Sequence, residues 1–176
     1  VLLTFSGSMV LPSDLDILRP FSSTVKPWVS SSRYGAWLSM DIYNTEYTQS
    51  EGKKNGVLED NLRKDREVAD IQREGFRKAN KAGVKMVYGT DAGIYPHGDN
   101  GKQFRWMVKY GMTPAQAIQA ATYNSSLALA RPDVGVIEAG RYADIIAVKG
   151  DPTVDVSLLE HVNFVMKDGV VYKGGL

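Results

Sequence analysis

The sequence contains no cysteine, which removes disulfides, thiolate metal ligands and cysteine nucleophiles together. Histidine is almost as scarce: there are two, His97 and His161, and none before residue 97. Any zinc chemistry must therefore use almost no imidazole from this chain. No run approaches the ~18–20 apolar residues of a membrane span, and no membrane partner is expected. Charge of one sign is also missing, since 21 basic side chains meet 20 acidic ones with the signs interspersed. That balance carries no nucleic-acid or polyanion footprint. No basic region precedes the apolar Val1–Phe5, and Gly7 interrupts it. A secretory leader is thus not expected, and the cytoplasm is the favoured compartment. What remains is 176 residues, 43% hydrophobic and 23% charged, ordinary composition for one or two small domains with a core.

Residues 1–33 hold eight of the thirteen serines, three of the seven prolines and five charges. They read as loop with short extended pieces, such as Phe21–Trp28 between Pro20 and Pro27, and as packing or linker material. Ala36–Met40 is a short apolar run of the kind that makes a buried strand, and the polar, glycine-containing stretch from Asn44 to Gly56 reads as a connection. From Leu58 to Ala82 the pattern is helical. Leu62, Ala69 and Phe76 recur every seven residues, Val68, Ile71, Ala79 and Ala82 flank them, and Gly83 ends the run as a C′ glycine. Val84–Thr90 is apolar on both faces, as a buried parallel strand is. A helix over Gly101–Tyr110 presents Phe104, Met107 and Val108, and Gly111 ends it. Thr113, Pro114 and Gln116 then form a capping-box start for an alanine-rich helix reaching Ala130. The tail is β-like: Val136–Ile137, Ala143–Val148, Val162–Lys167 and Val170–Lys173, with Asp168-Gly169 as a two-residue hairpin turn.

Chemistry concentrates between Tyr88 and Asn100. Asp91 stands at the carboxyl end of a strand, where open α/β sheets and barrels bind ligands. It reads either as a metal ligand or general base acting on water, or as a loop carboxylate capping the next turn. His97 is either a substrate contact or an exposed loop histidine. His161 reads as a structural or surface residue, and the pairs Asp14/Asp16 and Glu59/Asp60 as caps or solvated charges. Neither a phosphate-cradling GxxxxGK[ST] loop nor a GxSxG nucleophile elbow occurs.

Four blocks carry a resemblance: Ala-Gly-Val-Lys-Met-Val-Tyr-Gly-Thr-Asp-Ala-Gly (82–93), Pro-His-Gly-Asp-Asn (96–100), Gly-Met-Thr-Pro-Ala-Gln-Ala-Ile-Gln-Ala-Ala-Thr (111–122) and Gly-Arg-Tyr-Ala-Asp-Ile-Ile-Ala-Val (140–148), the last leading to Gly-Asp-Pro (150–152). In this order and spacing, residues 34–172 resemble the C-terminal part of a metal-dependent amidohydrolase. The prolidase-like and arginine-carboxypeptidase-like groups, related to imidazolonepropionases, are the most similar. The resemblance implies an α/β fold: the C-terminal portion of a (β/α)8 TIM-type barrel (residues 34–131) with part of a small β-sandwich (residues 132–176). Residues 1–33 stay unassigned. It maps Ala36–Met40 onto the seventh barrel strand and Val84–Thr90 onto the eighth. Asp91 then matches the strand-eight aspartate that binds zinc and carries a proton from the attacking water, and His97 matches a substrate-contacting loop residue.

The same resemblance exposes what the chain does not supply. The family's zinc centre also takes an His-x-His pair from the first strand, a lysine or glutamate from the fourth and histidines from the fifth and sixth. No histidine precedes His97, and a complete barrel of this kind needs about 250 residues. The expected activity is zinc-dependent hydrolysis of C–N bonds in dipeptides or related small amides, with this chain alone inactive. The alternative is a non-catalytic assembly module that pairs with itself or with an N-terminal portion.

Overall fold

A computed structural model describes residues 35–174. The extended piece read at Phe21–Trp28, the acidic pair Asp14/Asp16 and the rest of 1–33 lie outside the described residues. The fold begins with β1 (Leu38–Ser39), α1 (Ile42–Glu51), α2 (Glu59–Lys81) and β2 (Met86–Val87). A 3-10 turn (His97–Asp99) and α3 (Lys102–Lys109) follow. One helical run then comprises α4 (Pro114–Gln119), a π turn (Ala120–Asn124) and α5 (Ser125–Ala128). The tail consists of β3 (Ile145–Ala147), a 3-10 helix (Val156–Glu160), β4 (Phe164–Lys167) and β5 (Val170–Lys173).

β1 and β2 pair in parallel, Leu38 opposite Met86 and Ser39 opposite Val87. Met86 and Val87 are both buried, as an inner strand with two covered faces requires. The opposite edge of β2 meets helix rather than strand: Tyr88 N donates to Ala120 O at 3.2 Å and Asn124 Nδ2 to Met86 O at 2.9 Å. At the π turn the Ala120 carbonyl accepts both from Tyr88 N and from the Ser125 hydroxyl (2.7 Å). Among the described residues the parallel sheet has these two strands and no barrel closes.

α2 follows the expected bounds closely. Leu62, Ala69, Phe76 and Ala79 are buried, and Gly83 has φ +70°, the left-handed value a C′ residue adopts. Val68 and Ile71 instead face solvent, 54% and 67% exposed, so the apolar stripe is narrower than the composition suggested. The stretch from Asn44 to Gly56, read as a connection, contains α1. Its helix is held by polar packing on α2. Thr45 Oγ1 donates to Gln72 Oε1 at 3.1 Å, Gln49 Nε2 donates to Leu62 O at 3.1 Å, and Arg73 pairs with Glu46. A helix whose partner-facing side is polar shows no apolar period.

The expected capping box is present at Thr113. Its Oγ1 accepts from Gln116 N at 3.2 Å while Gln116 Oε1 accepts from Thr113 N at 2.8 Å. The tail forms an antiparallel sheet in the order β3-β4-β5. Asp168 and Gly169 both have positive φ, 50° and 75°, the two-residue turn the sequence indicated. Val136–Ile137 does not form a strand, because Gly135 and Gly140 at φ +88° and +84° break the chain into turns around it. One core joins the elements: Ile42, Phe76, Met86, Phe104, Met107 and Leu159 pack together with their neighbours.

Candidate functional site

The parallel pairing brings the carboxyl ends of β1 and β2 to one side, and an aspartate follows each: Asp41 after Met40, Asp91 after Thr90. Asp91 has φ +47°, a left-handed conformation that aspartate tolerates better than most residues. Its side chain is exposed and accepts a hydrogen bond from Asn44 Nδ2 at 3.3 Å. The same nitrogen donates to Asp41 Oδ2 at 3.0 Å, so one amide spans both strand ends. Thr48 Oγ1 lies 3.5 Å from Asn44 Oδ1, which orients the amide nitrogen toward the carboxylates. Burial raises the Asp41 carboxyl above its ordinary range; Asn44 opposes this and the Asp91 charge adds to it.

Behind the carboxylates the strand ends are tied down. Tyr95 is buried and its hydroxyl donates to Thr90 O at 2.8 Å, which anchors the loop that follows Asp91. Burial pushes the Tyr95 phenol up to about 12, so it remains a donor at neutral pH. Tyr95 meets Tyr43 edge-on with ring centroids 4.7 Å apart, and Tyr47 lies 5.7 Å from Tyr95. Gln103 is wholly buried and reaches both strand ends: Nε2 donates to Met40 O at 2.7 Å and to Gly89 O at 2.8 Å.

His97 opens the 3-10 turn and is exposed. Asp91 and His97 thus lie on one loop, but the polar partner that Asp91 holds is Asn44. His161 is exposed beyond the Val156–Glu160 helix. Glu59 and Asp60, read as caps or solvated charges, sit in the first turn of α2 and pair with Arg66 at 2.7 Å and Arg63 at 2.6 Å. Sequence reasoning passed over Asp41, Asn44 and Gln103. The available signal was Gln103 itself, a polar residue on the same face of α3 as the buried Phe104 and Met107. A cleft of about 220 Å³ lies apart from all of these, lined by Val136, Glu138, Arg141 and Tyr142 among others. It contains neither strand-end carboxylate. Among the described residues no group of three or more His, Asp or Glu side chains can hold a metal ion, and Asp91 by itself offers one carboxylate.

The class the fold defines is α/β, with acidic residues leaving the carboxyl ends of parallel strands, the end at which open α/β sheets and barrels generally bind ligands. The chain belongs to the amidohydrolase family, whose pattern matches residues 32–174. It is 33% identical to the ochratoxinase of Aspergillus niger over 125 residues, which are 68% of this chain and 26% of that enzyme. It superposes on the crystal structure of a Xaa-Pro dipeptidase with methionine bound in its active site (TM-score 0.78, 38% identity, 85% of this chain and 37% of the other). The crystal structure of A. niger ochratoxinase matches with TM-score 0.70 and 29% identity over 84% of this chain and 34% of that one. The chain therefore spans between about a quarter and two fifths of the length of these relatives.

Proposed function

We propose that the chain supplies the C-terminal part of a zinc-dependent amidohydrolase that cleaves C–N bonds in dipeptides or related small amides. On this reading residues 34–131 are the last strands and helices of a (β/α)8 barrel, and residues 132–176 are part of its β-sandwich. The likeness to a Xaa-Pro dipeptidase supports the substrate class, since that enzyme acts on peptide bonds. The observation that carries the reading is Asp91: a carboxylate at the end of a buried parallel strand, held on one side by Asn44 and exposed on the other.

Its proposed work is proton transfer. As a water oxygen bonds to the amide carbonyl carbon, Asp91 takes a proton from that water. It returns the proton to the nitrogen as the C–N bond breaks. His97, on the same loop, is proposed to contact the substrate. The residues described here do not fit a complete zinc site: the chain lacks cysteine and has two histidines, and a zinc site takes three or four protein ligands. Asp91 would be one of them, with the others contributed from outside this chain. By itself the chain is accordingly proposed to be inactive, an assembly partner for a portion carrying the imidazoles.

The test is Asp91→Asn in a zinc-loaded hydrolase that contains this chain. Turnover of dipeptide substrates is expected to fall by about 10²–10⁴-fold, the range for loss of a general acid–base, with the fold and melting behaviour retained. Unchanged turnover would remove Asp91 from the mechanism.

A further inference from the structure

We propose that Gln103 is a positioning residue for the strand-end carboxylates: one buried side chain locks the ends of β1 and β2 to each other and to the start of α1, and so sets where Asp41 and Asp91 stand. Its catalytic consequence rests on the reading of Asp91 given above; its geometry does not.

The backbone ladder between β1 and β2 stops at Ser39 and Val87. Just beyond it, the carbonyls of Met40 and Gly89 accept from Gln103 Nε2 at 2.7 and 2.8 Å. Met40 immediately precedes Asp41, and Gly89 lies two residues before Asp91. Gln103 Oε1 in turn accepts from Tyr43 N at 2.7 Å. Tyr43 belongs to the first turn of α1, where amide N–H groups have no partner within the helix, and Asp41 makes no side-chain cap there. A single amide therefore takes the place of two ladder bonds and a helix cap.

Only an amide can do this. Two carbonyls need two N–H donors and the Tyr43 N–H needs an acceptor, so the orientation of the Gln103 side chain is forced. Glutamate keeps the acceptor but loses both donors when ionised, and methionine fills similar space without either. Gln103 is 0% exposed, so no water can replace the missing partners without opening the core. The consequence appears one turn into α1. Asn44 Nδ2 spans the two carboxylates at 3.0 and 3.3 Å, a bridge that exists only while α1, β1 and β2 keep their mutual placement.

The test is nuclear magnetic resonance on the isotope-labelled 176-residue chain, and no part of it depends on turnover. In the parent, the Gln103 Nε2 protons are expected to exchange slowly and to show couplings across hydrogen bonds to the Met40 and Gly89 carbonyl carbons. Nε2 protons that exchange as freely as those of surface amides overturn the proposal. In Gln103→Glu and Gln103→Met, the Asn44 side-chain amide is expected to lose its parent resonance positions. In Val134→Ala, which weakens a buried site outside this cluster, those positions are expected to persist. A merely structural glutamine would shift Asn44 equally in all three variants or in none, and either result overturns the proposal. Should neither Gln103 variant fold, the parent exchange and couplings decide it. Intact couplings combined with unchanged turnover of an Asp91→Asn hydrolase would overturn the catalytic reading of Asp91 and leave the positioning standing.

Discussion

Asp41 and Asp91 share one amide donor, Asn44 Nδ2, and Asp41 is the more enclosed of the two. Burial raises the Asp41 carboxyl above its ordinary value of 3.8, and the nearby Asp91 charge raises it further against the Asn44 hydrogen bond. The native chain therefore keeps the Asp41 proton at pH values where the unfolded chain has released it. This contribution to stability is fully present below 3.8 and is lost as pH rises through the raised value. Asp41→Asn removes the titration. Relative to the parent, that variant is expected to gain stability between pH 3.8 and neutrality. The shifts of exposed carboxylates such as Asp60 and Asp133 are common to both chains and cancel in the difference. Thermal melts of both chains at the two pH values check this, and an equal difference at both refutes it. A second residue-scale effect is steric. A Cβ on Gly101 would overlap the Leu159 carbonyl oxygen, whereas one on Gly98 meets nothing within 4 Å. Gly101→Ala is expected to cost about 1–3 kcal/mol by overpacking, with Gly98→Ala within about 0.5 kcal/mol of the parent. Comparable denaturation midpoints for the two would contradict the packing of the Val156–Glu160 helix on α3.

Among the elements, legibility followed the chemistry of the contact face. α2 could be read because Leu62, Ala69 and Phe76 put carbon against carbon at a fixed period. The helical run from Pro114 announced itself through its cap. α1 could not be read, because Thr45, Glu46 and Gln49 face α2 through hydrogen bonds and an ion pair, and such contacts leave no hydrophobic signature. The site divides in the same way. The place of Asp91 beyond a parallel strand was legible from its loop motif, while Asp41, Asn44 and Gln103 are tied to it through hydrogen bonds that leave no pattern in the sequence. Energetics also separate the elements. Phe76 is 0% exposed, and Phe76→Ala is expected to cost about 3–5 kcal/mol, a large share of a small domain's stability. Thr113→Ala, which removes half of the capping box, is expected to cost about 1 kcal/mol. Urea titrations rank the two; a cap variant as damaging as the core variant would mean that the alanine-rich run depends on its terminus more than on its packing.

For the molecule as a whole, the decisive quantity is the number of imidazoles and carboxylates that can converge. Parallel sheets exist with both faces covered, and here β2 has one edge on β1 and the other on the π turn. The described strands thus present two carboxylates at one end, bridged by the Asn44 amide. His97 is exposed on a loop and His161 is exposed near the tail, and the described residues bring no third donor to either. A zinc ion held by one or two carboxylate oxygens keeps most of its water shell and gains too few protein ligands to bind tightly. The purified chain, loaded with zinc and then dialysed, is therefore expected to retain well under one equivalent and to show no turnover of dipeptides. Adding a polypeptide that carries an His-x-His pair and pairs with the chain is expected to raise both together. Elemental analysis alongside the intact mass of everything in the sample reads the outcome directly. Stoichiometric zinc in a sample containing this chain alone would mean that the ligands converge from residues whose spacing gave no sign of it, and that the chain is a metal site in its own right.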